Sequence, residues 1–144
     1  MDVVLSSGLI IKNGALLLLH RTDHDHYETP GGKLEPSDCT DPENPTENDL
    51  LTCAQREITE EVDCVAEPIG PPIEHEFTLR DGRRGYVAKF PMRFISGSLA
   101  IKESLFDEAR FVRAEELDTI ILSPDLEDLK DEIKQLLNEQ TRTP

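Results

Sequence analysis

The sequence is short of positive charge. Lysine and arginine together number 15 against 30 aspartates and glutamates, a formal net charge of -15 over 144 residues. Duplex binding needs a basic face, so this balance argues against a nucleic-acid polymer as partner. It leaves room for a nucleotide, because a few bound cations invert the local field at an acidic site. The remaining acid reads as a solubility device. Cysteine is sparse too. Cys39, Cys53 and Cys64 are odd in number and form no CxxC pair, which argues for reduced thiols and against a disulfide scaffold. No apolar run reaches membrane-spanning length, and the N-terminus lacks the basic-then-apolar layout of a signal peptide. The expectation is a cytoplasmic protein without a membrane partner. No internal repeat and no Ser/His/Asp or Cys/His arrangement is readable. The length fits one domain, 1–144, large enough to bury a core.

What is present is concentrated between Pro30 and Val62. The stretch opens with Pro30-Gly31-Gly32-Lys33-Leu34-Glu35 and closes with Arg56-Glu57-Ile58-Thr59-Glu60-Glu61-Val62. Leu51, Ala54, Ile58, Val62 and Val65 recur at helical spacing and define an apolar face. Thr46 and Asp49 form an approximate capping box, so the helix is expected to begin near Glu47. On its other face Glu57, Glu60 and Glu61 fall at i, i+3 and i+4. Like charges at that spacing repel, which calls for a compensating cation. Mg²⁺ takes hard oxygen ligands and is usually held by carboxylates together with substrate phosphates. Gly31 and Gly32 allow unusual backbone geometry and close approach of a ligand, and Pro30 stiffens the entry.

Gly32 followed by Arg56-Glu57-Ile58-Thr59-Glu60-Glu61 resembles the Nudix box, Gly-x5-Glu-x7-Arg-Glu-U-x-Glu-Glu-x-Gly-U with U aliphatic. The chain is similar to small MutT-like Nudix hydrolases. Three departures stand out. Asp38 falls where the box has its loop glutamate. Seventeen residues separate Asp38 from Arg56, ten more than the box's seven. Asp63 takes the place of the closing glycine, and aspartate reaches the left-handed conformation more readily than most residues. The extra segment, 39–48, is acidic and holds Pro42 and Pro45, so it reads as a surface loop. A calcium loop there fails for want of a mid-loop glycine. Either Asp38 or Glu47 is a candidate for the missing loop glutamate.

The resemblance implies an α/β fold, a Nudix-type α/β/α sandwich with a mixed β-sheet between helices. Hydrophobic patterning gives the same layout independently. Val3 to Ile11 and Ala15 to His20 read as strands joined at Asn13-Gly14. Leu16 to Leu19 implies a strand covered on both faces. His20 to Thr29 reads as an exposed polar loop, its alternating histidines and aspartates lacking zinc-type spacing. Ile73 to Arg80 and Tyr86 to Ile95 form a long hairpin, with Pro91 suggesting an edge or a bulge. A loop over 97–107, a short strand at Ala109 to Val112 and a helical turn at Ala114 to Leu117 follow. A last helix starts at Ser123-Pro124 with a cap and a proline in the first position; the tail from Gln140 reads as frayed.

The resemblance further implies Mg²⁺-dependent hydrolysis of a phosphoanhydride, with Mn²⁺ as a substitute. The substrate would be a nucleoside triphosphate or another nucleoside diphosphate-linked compound; the alternatives are an ADP-ribose or nucleotide-sugar pyrophosphatase, and a Nudix-fold nucleotide sensor that cleaves nothing. No coenzyme A or NADH subfamily signature is present. Metal-site candidates are Gly31 through its carbonyl, Glu57, Glu60 and Glu61. Catalytic candidates are Glu57, Glu60, Arg56 as an orienting residue, and Glu108, with Glu103 the other glutamate of that region. Arg21, Tyr27 and Arg80 are substrate-binding candidates, Arg being suited to bidentate anion recognition. Monomer and homodimer both fit.

Overall fold

The computed structural model describes residues 1–142; the last two residues of the expected single domain and of the expected frayed tail, 143–144, lie outside them. The chain forms β1 (Val3–Lys12), β2 (Ala15–Arg21), β3 (His26–Glu28), β4 (Gly31–Lys33), α1 (Glu47–Glu61), β5 (Val65–Pro68), β6 (Ile73–Thr78), β7 (Arg84–Ser96), β8 (Phe106–Val112) and α2 (Pro124–Arg142). All eight strands join one sheet with the central order β3-β2-β1-β7-β5. β4 pairs with β1, β6 with β7 and β8 with β2. The sheet is mixed, because β1 and β7 run parallel over Val3 to Ile11 while the other pairings are antiparallel.

Alternation sorts the strands into two cores. Ile10, Leu17, Leu19, Ala88, Phe90 and Met92 point to one face, where Leu50, Ala54, Ile58 and Val62 of α1 cover them. Leu9, Ile11, Leu16 and Leu18 point to the other face, against Leu126, Leu129, Ile133 and Leu137 of α2. This is the expected α/β/α sandwich, and the leucine run of β2 is buried on both sides. The β1–β2 turn uses positive φ at Asn13 (51°) and Gly14 (76°), the arrangement that a two-residue hairpin requires.

Four local expectations change. His26–Glu28 is a strand paired with β2, and His26 is buried. It gave no hydrophobic signal because its burial is compensated by hydrogen bonds. Pro91 lies in a central strand. Its carbonyl accepts from the Ile69 N–H, so its missing N–H faces the gap where the partner of β7 passes from β6, ending at Lys89, to β5, starting at Met92. That gap satisfies the usual bar on proline inside a sheet. The β8 strand begins at Phe106, ahead of Ala109. The Ser123 hydroxyl donates to Asp125 while its carbonyl accepts from the Glu127 N–H, and α2 stays helical through Arg142.

Candidate functional site

The Gly31–Gly32 turn lies against the acidic face of α1. Thr46 caps the helix, its hydroxyl accepting from the Asp49 N–H at 3.2 Å while Asp49 reaches back to the Thr46 N–H at 2.9 Å. That box fixes the start of α1, and the apolar stripe fixes its rotation. Glu61 in the last turn is buried, and its Oε1 accepts from the Gly31 N–H at 2.8 Å. Neither glycine has positive φ; both positions are set by space. A Cβ on Gly32 would stand 2.5–2.7 Å from the Glu57 carboxylate, and one on Gly31 would stand 2.4 Å from the Ser6 carbonyl.

Arg56 ties the turn to the helix. It forms a bidentate pair with Asp38 at 2.8 and 2.9 Å and donates to Glu57 at 3.0 Å and to the Lys33 carbonyl at 3.2 Å. Glu60, half exposed, stands 3.3 Å from the same guanidinium. The Asp38 side chain is only 2% exposed; its hydrogen bonds from Arg56 hold its carboxyl below the usual carboxylate range. Both Asp38 oxygens are engaged, the second also accepting from the Glu35 N–H, so Asp38 orients Arg56. Glu47 sits exposed at the first position of α1.

Burial raises the Glu57 carboxyl, with Arg56 opposing. Glu61 is pushed up to about 9, first by burial and then by the nearby charges of Glu57, Glu28 and Glu103, against the Gly31 N–H that favours its ionised form. Glu103 arrives on the segment that runs along the end of α1, where the Lys102 N–H donates to the Glu61 carbonyl at 2.9 Å. Glu108 faces elsewhere: it accepts from the Tyr27 hydroxyl at 3.1 Å and pairs with Arg110 at 2.8 Å.

On the α2 side of the sheet, a cavity of about 390 Å³ reaches from Gly31 and Gly32 to the β6–β7 turn. Arg21 and Arg80 line it, and Tyr27 does not; Tyr27 stacks at 5.2 Å beneath the Arg110 guanidinium. At its floor Lys89, 1% exposed, donates to Thr29 at 2.7 Å and Ser7 at 3.1 Å and pairs with Asp125 at 2.7 Å. Burial would raise the Asp125 carboxyl, but the Lys89 charge outweighs it and leaves it lowered. Sequence reading missed Lys89, whose one signal was a charge between Val87 and Pro91 in a strand. It also passed over Glu28, which accepts from His26 at 3.0 Å.

The family model of the NUDIX domain matches residues 4–137. The chain belongs to the Nudix family. No curated protein matches the sequence significantly. Among solved structures it resembles a Nudix hydrolase from Nitrosomonas europaea, with 16% identity, a TM-score of 0.73, and coverage of 100% of this chain and 93% of that one. A UDP-X diphosphatase gives 18%, 0.71, 99% and 65% in the same order, and a MutT protein from Methanosarcina mazei Go1 gives 17%, 0.66, 98% and 96%. At these identities the likeness shows the fold. Nudix hydrolases cleave phosphoanhydrides, act on small nucleotide substrates and generally use divalent cations.

The departures of its Nudix box are accommodated locally. Of the added residues 39–48, Cys39 is half-buried and 40–48 are exposed throughout. Asp63 does not take positive φ; its carboxylate instead accepts from the Ser98 N–H at 3.0 Å and the Ser98 hydroxyl at 2.6 Å. Gly97 (φ 127°) and Leu99 (φ 64°) shape the segment that packs against Asp63, where the Leu99 N–H donates to the Asp63 carbonyl at 2.9 Å. Cys53 and Cys64 are buried packing residues without a disulfide, the Cys53 thiol pushed up to about 12 by burial. Among the described residues no three His, Cys, Asp or Glu side chains close around an ion, and no helix is long and apolar enough to cross a membrane. The donor set nonetheless fits magnesium, which is usually held by one or two carboxylates plus substrate phosphates, without an all-protein cage. A buried carboxyl displaced to about 9 is a group that a bound cation would restore to its ionised form.

Proposed function

We propose that this Nudix protein hydrolyses a phosphoanhydride in a nucleoside triphosphate or another nucleoside diphosphate-linked substrate, with Mg²⁺ as cofactor and Mn²⁺ as a substitute. The observation that carries this reading is the pairing of Glu61, buried and bonded to the Gly31 N–H, with Glu57, packed against the bare Cα of Gly32. Glu57, Glu60, Glu61 and the Gly31 carbonyl would hold the metal. Bound there, it would neutralise charge on the diphosphate and lower the pKa of a water. Arg56, fixed by Asp38, keeps Glu57 and Glu60 oriented toward the turn. Glu103 takes the proton of the attacking water. It is the acid of its segment that adds to the field at both Glu57 and Glu61, and it has no ion-pair partner among the described residues. The uncut end of the substrate enters the cavity on the α2 side, past Arg21 and Arg80. An ADP-ribose or nucleotide-sugar substrate is the close alternative, favoured by the lining of that cavity from Gly31 and Gly32 to the β6–β7 turn; the similarity to a UDP-X diphosphatase is consistent with it. The reaction is expected to run in the cytoplasm.

The test is phosphate and pyrophosphate release from nucleoside triphosphates, ADP-ribose and UDP-sugars, with and without Mg²⁺. Release that needs the metal and drops at least 100-fold in Glu57→Gln supports the reading. Tight binding without release, unchanged in Glu57→Gln, would make the protein a nucleotide sensor.

A further inference from the structure

The chain carries a charge of -15, yet the cavity wall is positive. It holds Arg21, Lys33, Arg80, Arg83 and Lys89 against Glu28, Asp81 and Asp125. Three of the cations are already matched. Arg21 meets Asp23 and Glu28, Arg83 meets Asp81 and Lys89 meets Asp125. Arg80 meets no carboxylate within ion-pair distance among the described residues. Its Nη2 lies 2.8 Å from Nδ1 of His26.

A guanidinium only donates, so Nδ1 of His26 accepts and the ring proton sits on Nε2, donated to Glu28 at 3.0 Å. His26 is thereby neutral and, at 4% exposure, fixed. A flexible surface arginine would lose conformational freedom on gripping an anion; this one is already held at one nitrogen, with its other donors free for a ligand. Gly31 and Gly32, beside the expected seat of the scissile diphosphate, line this cavity opposite Ser7 and Ser6 of β1, while the β6–β7 turn that carries Arg80 adjoins the Val3 end of β1, where Val3 pairs with Gly85. Arg80 therefore lines the cavity from its β6–β7 end, on the wall that would receive the other end of the substrate.

We propose that Arg80, held in place by neutral His26, binds an anionic group on the uncut end of the substrate, so that the preferred substrate carries a phosphate beyond the diphosphate that is hydrolysed. His26 is a positioning residue that acts through Arg80. This rests on the proposed hydrolysis only for the direction in which substrate lies; the charge recognition stands apart from turnover.

The experiment is calorimetric titration in EDTA, where no metal-dependent cleavage occurs, with two matched pairs. These are ADP-ribose and its 2′-phosphate, and guanosine 5′-diphosphate and its 3′-diphosphate derivative. The phosphorylated member of at least one pair is expected to bind about tenfold tighter or more, the strength of a charge-assisted hydrogen-bonded contact. Arg80→Gln is expected to abolish that difference, costing the phosphorylated member about tenfold or more beyond any loss by the unphosphorylated one. His26→Leu should cut the difference, His26→Gln should keep it because its amide both accepts and donates, and His26→Leu added to Arg80→Gln should change nothing more. Equal affinity or no binding within both pairs, or an Arg80→Gln loss shared equally by both members, overturns the proposal. Release measured separately with Mg²⁺ reports on the hydrolytic reading, so the two fail independently.

Discussion

Replacing Glu61 by glutamine should stabilise the metal-free protein at alkaline pH. The carboxyl is raised from 4.5 to about 9, chiefly by burial. Between those values the folded state holds a proton that the unfolded state has released, so stability is greatest below about 4.5 and falls as pH rises toward 9. The slope is about 1.4 kcal/mol per pH unit. By pH 8 the accumulated cost is about 5 kcal/mol, as an order of magnitude. Glutamine keeps an oxygen for the Gly31 N–H and has no proton to lose. Wild type and Glu61→Gln should therefore melt together near pH 4.5 and diverge above it, the variant higher by roughly 15 °C at pH 8. Mg²⁺ should narrow the gap by stabilising wild type alone, since cation binding favours the ionised carboxylate. Melting followed by circular dichroism in EDTA, from pH 4.5 to 8.5, measures both curves. Parallel curves, or a variant that melts lower at pH 8, would refute the assignment of Glu61 as a carboxyl held neutral by its surroundings.

Three further outcomes are expected. Gly32→Ala places a methyl 2.5–2.7 Å from the Glu57 carboxylate; because a 1 Å misplacement costs about 100-fold, kcat/KM should fall by that order while the far-ultraviolet spectrum is kept. Asp38→Ala strands Arg56 without its bidentate partner and should cost about 3 kcal/mol in urea unfolding; Asp38→Asn should lose the part of stability that wild type shows above about pH 4, the ordinary aspartate value, and gives up as pH falls through the lowered Asp38 pKa. Lys89→Met leaves Asp125 buried and unmatched, at about 3–5 kcal/mol, and the double variant Lys89→Met/Asp125→Leu should regain most of it, again by urea unfolding.

Local, repetitive signals carried most of the fold. The Thr46/Asp49 capping box and the stripe from Leu51 to Val62 fixed α1, and alternation with Asn13-Gly14 fixed the first hairpin. Pro91 misled because whether a proline is tolerated depends on the partner strand. Here two partners meet opposite it, which no window of sequence contains. The candidate site divides the same way. Glu57, Glu60 and Glu61 could be named from helical spacing, and Arg56 from the resemblance to the Nudix box. The choice of Asp38 over Glu47 depends on which acid meets Arg56 across a long insertion. The choice between Glu103 and Glu108 depends on where one loop passes the end of α1. The two glycines were explained by backbone freedom and close approach of a ligand, whereas in the structure they leave room for the Glu57 carboxylate and the β1 backbone. Lys89 escaped notice and His26 was read into an exposed loop because a polar residue buried by long-range hydrogen bonds looks, in sequence, like a residue on a solvated face.

The central claim is that the acidic face of α1 and the Gly31–Gly32 turn together seat a divalent cation with a diphosphate. Electron paramagnetic resonance of Mn²⁺, titrated into the protein with a methylene-bridged, non-hydrolysable nucleotide, tests it most directly. Bound manganese that requires the nucleotide, shows coupling to its phosphorus atoms and is lost in Glu57→Gln is the expected result; manganese bound equally well by that variant, or without phosphorus coupling, would contradict it.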